Sequence, residues 1–136
     1  ASAIHINFSE GFREMSNLYN ANKLEECLAK GHELLESPAI PRYHRMKTLT
    51  LLSATTGDWY EADAYRMEAE SLWRTTRLWN PEGRDGIMDK FLAQVREELD
   101  VLQSSLQEQE QEMLDEDMED EEAAMTDSEA MEDEDE

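Results

Sequence analysis

The chain has one cysteine, three prolines, five glycines, and no Lys or Arg beyond Arg96. Each shortage excludes something. A lone Cys27 cannot close an intramolecular disulfide, so a stapled secreted scaffold is disfavoured and a reducing compartment, cytoplasmic or nuclear, is expected. No apolar run approaches the ~18 residues of a membrane span, and the first residues lack the basic-then-apolar pattern of a signal peptide. Without such a signal, Asn7-Phe8-Ser9 reads as a helix start rather than a glycosylation sequon in use. His5, His32 and His44 share no ligand-like spacing with Cys27 or with each other, so no metal site is expected. Phosphate-binding glycine loops, nucleophile elbows and paired catalytic carboxylates are missing too; the sequence predicts no cofactor and no enzyme activity.

What the chain does have is acid. Against 34 Asp and Glu stand twelve Lys and Arg, a formal charge of −22. Residues 1–107 hold all twelve cations with 17 acids, leaving this body at −5, while residues 108–136 hold the other 17 acids and no cation. Phosphate binding needs clustered cations, so direct nucleic-acid binding is disfavoured. A basic protein partner is favoured.

The apolar residues recur with helical spacing. Asn7, with Glu10 three residues on, has the form of an N-cap, and Phe8, Phe12, Met15, Leu18 and Tyr19 follow on one face. Asn20-Ala21-Asn22 breaks this helix, Asn being tolerant of a left-handed cap. Leu24, Cys27, Leu28, Gly31, Leu34 and Leu35 continue as a second helix, ended by Ser37-Pro38-Ala39-Ile40-Pro41. The third carries Tyr43, Met46, Leu49, Leu52 and Ser53. Gly57-Asp58 ends it, and Asp58 caps a fourth that presents Trp59, Ala62, Tyr65, Ala69, Leu72 and Trp73, with Met67 off the stripe. Residues 80–86 are dense in turn formers. A fifth helix starts near Ile87 and repeats Phe91, Leu92, Val95, Leu99, Leu102 and Leu106 at three and four, fraying around Glu112.

Two hairpins superpose in sequence. Phe12, Met15, Ser16 and Tyr19 fall on Met46, Leu49, Thr50 and Ser53 at a period of 34, and Leu24 and Cys27 fall on Trp59 and Ala62 at 35. With Gly57-Asp58-Trp59-Tyr60-Glu61-Ala62 as the better turn, this resembles tetratricopeptide repeats, helical hairpins of ~34 residues. Neither unit has the family's large aromatic together with the glycine of its first helix. The expected fold is all-α: residues 1–7 a loose lead-in, residues 8–111 two antiparallel hairpins plus a long capping helix, and residues 112–136 a disordered acidic tail.

The resemblance implies a groove lined by the first helix of each hairpin. Here that means Arg13, Asn17 and Asn20 from the first unit and His44, Lys47 and Leu51 from the second. Arg13 and Asn17 match a carboxylate-gripping pair found in some family members, but Leu51 replaces the second asparagine, so this is half a clamp or an ordinary solvated face. Arg42, His44, Arg45 and Lys47 form a basic run that either pairs with nearby acids or holds the chain's own tail at low salt. The tail interleaves acids with Met113, Leu114, Met118, Met125 and Met131, which fits an adaptable clamp on a basic protein, the bland alternative being a solubilising brush. Thr126 and Ser128 sit among acids as candidate phosphosites. The functional expectation is a non-enzymatic adaptor or escort chaperone for a basic protein such as a histone or ribosomal protein. The alternative is a scaffold subunit, and an uncapped fifth helix would serve as a homodimer face.

Overall fold

The structure, a computed structural model, describes residues 7–134 as backbone and residues 7–123 with their side chains. Five helices follow one another: α1 (Phe8–Asn20), α2 (Leu24–Glu36), α3 (Arg42–Thr55), α4 (Trp59–Trp79) and α5 (Gly86–Glu134), with no strand among the described residues. Of the expected lead-in at residues 1–7, residues 1–6 with His5 lie outside the described residues, and Asn7 caps α1.

The helix ends form for local reasons. Asn7 Oδ1 accepts the Glu10 N–H at 3.1 Å, filling an orphan donor of the first turn. Asn22 takes φ +60°, the left-handed conformation that lets the chain reverse into α2. Asp58 Oδ1 accepts from the N–H of Tyr60 and of Glu61, at 2.8 and 3.2 Å, and starts α4. The loop before α5 is closed by Asp89, which pairs with Arg77 at 2.7 Å and accepts the Gly83 N–H at 2.9 Å. Arg77's guanidinium and then the Gly83 amide hold the Asp89 carboxyl below the usual carboxylate range.

Each helix packs on the next in the chain, and α3 also touches α1 and α5. Contacts therefore run along the sequence, as in a stack. The spine of the stack is α3, whose Met46, Thr48, Leu49, Thr50, Leu52, Ser53 and Thr55 are all buried. Met46 and Leu49 join Ala69, Leu92, Val95 and Leu99 in one core; Leu52 joins Met15, Cys27 and Leu34 in the other. A helix buried on most sides must satisfy its own polar groups. Thr48, Thr50 and Thr55 do so by donating to the carbonyls of His44, Met46 and Leu51, at 2.7, 2.8 and 2.6 Å. Ser53 Oγ instead donates to Ala62 O at 2.7 Å, so the two hairpin arms meet at the small residues beside the Gly57 turn.

Across the stack, α5 is clamped by two tryptophans. Trp73 Nε1 donates to Leu92 O at 2.7 Å and Trp59 Nε1 to Leu106 O at 2.8 Å. Between them Arg96 reaches Glu70 at 2.6 Å, and Arg66 and Arg74 approach the same carboxylate at 3.4 and 3.5 Å. The packed face of α5 is the expected apolar one. Away from that face Lys90, Gln94, Glu97 and Glu98 are exposed and polar, with Ile87 and Val101 exposed among them, and α5 closes the stack as a cap.

Helical backbone passes Glu112 without a break and continues to Glu134, rather than fraying there. Glu, Gln, Met, Leu and Ala are good helix formers, and the packed part of α5 supplies the nucleus that an isolated segment lacks. The folded body nevertheless ends at Leu106, because from Gln107 to Ala123 every residue is exposed. The acidic tail thus leaves the stack as an unpacked extension. The side chains of Met125, Thr126, Ser128 and Met131 lie outside the described residues.

Candidate binding groove

The first helix of each hairpin and α5 lie side by side, α3 between α1 and α5. A trough of about 560 Å³ opens over α3. Its floor is Lys47, Thr50, Leu51 and Ala54; one wall is Phe12, Ser16, Tyr19 and Asn20 of α1, the other Gln94, Glu97, Glu98, Val101 and Leu102 of α5. The size lies within the ~300–1,000 Å³ of ordinary ligand clefts. Its chemistry is graded across its width. The α1 side is aromatic and amide, while the α5 side carries two carboxylates.

Asn20, Lys47 and Leu51 of the six groove positions named by the sequence line this trough. Arg13 and Asn17 are exposed on α1 and are not among its lining residues. His44 is half-buried in an aromatic row, 6.1 Å from Phe8 and 4.4 Å from Tyr43 between ring centroids, and Tyr43 continues the row edge-on to Phe91 at 6.2 Å. Its buried Nδ1 has no hydrogen-bond partner among the described residues. Burial, and then the Lys47 charge, lowers the His44 pKa. His44 is therefore a neutral packing residue near pH 7, not a cationic contact.

The basic run at the start of α3 separates in space. Arg45 is paired with Glu68 at 2.7 Å, Lys47 Nζ lies 4.4 Å over the Phe12 ring, and Arg42 lies 4.3 Å over the Trp79 ring. Only Lys47 of the four reaches the trough. Cys27 is fully buried and meets Thr55 Oγ1 at 3.7 Å, which makes it a small core residue.

A larger hollow, about 950 Å³, lies on the other side of α5 against α4. Two arginines (Arg77, Arg96) and four acids (Glu82, Glu97, Asp100, Glu108) line it around Trp73, so both signs of charge face it with acid in excess. Among the described residues no cluster of His, Cys, Asp and Glu could hold a metal ion. No described helix is long and apolar enough to cross a membrane.

Sequence reasoning missed two contributors. The α5 wall with Glu97 and Glu98 lies outside the 34-residue period, so superposing hairpins could not place it. Glu70 sat unmarked on the polar side of α4, although three arginines at i±4 and beyond were the signal. Among the described residues, trough and stack define an all-helical fold of two hairpins and a capping helix with an amphipathic groove over α3. Family models, curated proteins and solved structures give no match to this chain.

Proposed function

We propose that this is a tetratricopeptide-like, non-enzymatic interaction module that captures a segment of a basic protein, with its acidic tail as a second hold. The observation that carries the reading is the trough over α3. Apolar Leu51, Val101 and Leu102 lie beside Glu97 and Glu98, a combination suited to a peptide carrying both apolar and basic side chains. The tail extends the same preference over a longer range. From Gln107 to Ala123 every residue is exposed, none is a cation, and Met113, Leu114 and Met118 stand among the acids. The 34-residue period and the shared side of α1, α3 and α5 support the repeat assignment.

On this reading the protein escorts or shields a basic partner, a histone or ribosomal protein being the class, in the cytoplasm or nucleus. Asn20, Lys47 and Leu51 are the groove contacts, Arg13 and Asn17 flank it, and phosphate on Thr126 or Ser128 would deepen the tail's charge. The test is titration of purified core histones, and separately of a basic ribosomal protein, with the full chain and with Glu97→Lys/Glu98→Lys. Weakening by at least about tenfold is expected, since charges of the wrong sign across an interface are strongly unfavourable. Equal affinity of the full chain and the double variant would mean that the groove does not hold the partner. No binding by either would leave a scaffold subunit with a solubilising tail.

A further inference from the structure

At the end of the stack where α4 hands over to α5, exposed apolar side chains meet unpaired cations. Trp79 closes α4 at 62% exposed, and Ile87 in the first turn of α5 is 84% exposed. Tyr43, from the start of α3 at the same end, is 46% exposed. Arg42 lies over the Trp79 ring at 4.3 Å. Among the described residues Arg42, Arg84 and Lys90 have no acid within ion-pair distance, whereas Arg77 is held by Asp89. Glu82 and Asp85 share the loop, and Asp85 is turned to the N–H groups of Ile87 and Met88. Exposed aromatic groups with arginine are the usual anchors of interfaces.

The other end of the molecule carries the complement. Beyond Leu106 the chain is an exposed helical extension whose Leu114 and Met118, four residues apart, share a face, with Met113 beside them. Acids surround them: Asp115, Glu116, Asp117 and Glu119. Methionine sulfur packs well on aromatic rings, and the surrounding carboxylates match unpaired cations.

The geometry points to a head-to-tail contact between two copies, in which the Arg42–Trp79 end of one molecule binds the acidic Met113–Met118 stretch of the other. A molecule's own tail is directed away from its own head. The helix starts at that head with Gly86, reaches Leu106 after roughly 30 Å at 1.5 Å per residue, and continues outward. Self-association through the fifth helix therefore uses its free end and not its packed face. A basic protein would compete for the same acidic stretch, so the free protein is associated and the loaded protein is not.

Sedimentation of the full chain over rising concentration tests this. At about 50 mM salt, where charge attraction reaches far, the average mass should rise with concentration, and about 500 mM salt should weaken association by tenfold or more. Two full-length variants separate the ends: Arg42→Glu/Trp79→Glu changes exposed head positions, and Met113→Ser/Leu114→Ser/Met118→Ser changes the tail. Each alone should remain monomeric. Mixed, they should pair, because one keeps an intact tail and the other an intact head. A wild-type chain that stays monomeric at millimolar concentration in low salt overturns the contact. So does association by either variant alone, or a mixture that stays monomeric while circular dichroism shows both folded.

Discussion

Replacing Glu70 by Gln keeps the size and shape of the side chain and removes only its charge. The Glu70 carboxylate is about one-tenth exposed and receives Arg96 at 2.6 Å, with Arg66 at 3.4 Å and Arg74 at 3.5 Å. A hydrogen bond to a charged group is worth about 1.5–3 kcal/mol, and breaking a buried pair costs about 3–5 kcal/mol when a charge is stranded. Here the stranding is partial. Arg96 keeps Asp100 at 2.8 Å, Arg66 keeps Asp63 at 3.0 Å, and Arg74 is 77% exposed and adds little. The expected loss is therefore about 2 kcal/mol, close to the lower limit. For a body of this size each kcal/mol moves the midpoint by about 4–8 °C, so thermal unfolding should fall by roughly 10 °C. The assay is urea and thermal unfolding followed by circular dichroism, with Arg96→Met and the double variant completing a cycle. Coupling of about 1 kcal/mol or more is expected for side chains in direct contact. A loss below about 0.5 kcal/mol, or additive single variants, would refute the idea that Glu70 ties α5 to α4.

Other perturbations probe separate joints. A Cβ on Gly31 would lie 2.6 Å from Leu52 Cδ2 and 2.7 Å from Met15 Cε, both in the fully buried core. Overpacking costs about 1–3 kcal/mol and Ala gains about 1 kcal/mol in helix propensity, so Gly31→Ala should lose about 1 kcal/mol in urea unfolding. Gly86→Ala, with open space around it, should lose nothing. Trp59→Phe removes the donor to Leu106 O and should speed amide exchange around Leu102–Glu110 while leaving the region of Leu92 protected. His44 is lowered in the fold, so its stabilising contribution is fully present above the unfolded value of about 6.5 and declines as pH falls through the lower folded value. His44→Phe should flatten that part of the stability–pH curve. An unchanged slope would mean that the imidazole is solvated.

How much of this was legible depends on which interactions repeat locally. Helix starts and stops were readable because Asn7, Asn22, Asp58 and the loop at residues 80–85 act through their own backbone neighbours. The apolar stripes were readable because burial imposes a three-to-four period on each helix. Tyr43 shows the limit. It shares the stripe of Met46 and Leu49 but lies in the first turn of α3, where the stack runs out, and stays 46% exposed. The second wall of the trough was not legible, because Glu97 and Glu98 meet Leu51 only once α5 has docked on α3 and α4. Nor was the scattering of the basic run, since Glu68 and Trp79 of α4 claim Arg45 and Arg42 while Phe12 of α1 claims Lys47. The helix beyond Glu112 has no tertiary support to predict; its composition alone favours helix, while its like charges oppose it.

Capture of a basic protein by groove and tail together shows itself in the salt dependence of binding. Affinity for purified core histones should be measured for the full chain and for a chain ending at Gln111, from about 50 to about 300 mM salt, across which screening of exposed charges deepens. Removing residues 112–136 should leave the stack intact, because every core residue lies at or before Leu106 and the residues from Gln107 to Ala123 are exposed. The full chain should bind more tightly at low salt, its advantage should shrink as salt rises, and the shortened chain should keep a weaker, flatter affinity from the groove. Identical affinities at every salt concentration would contradict joint capture.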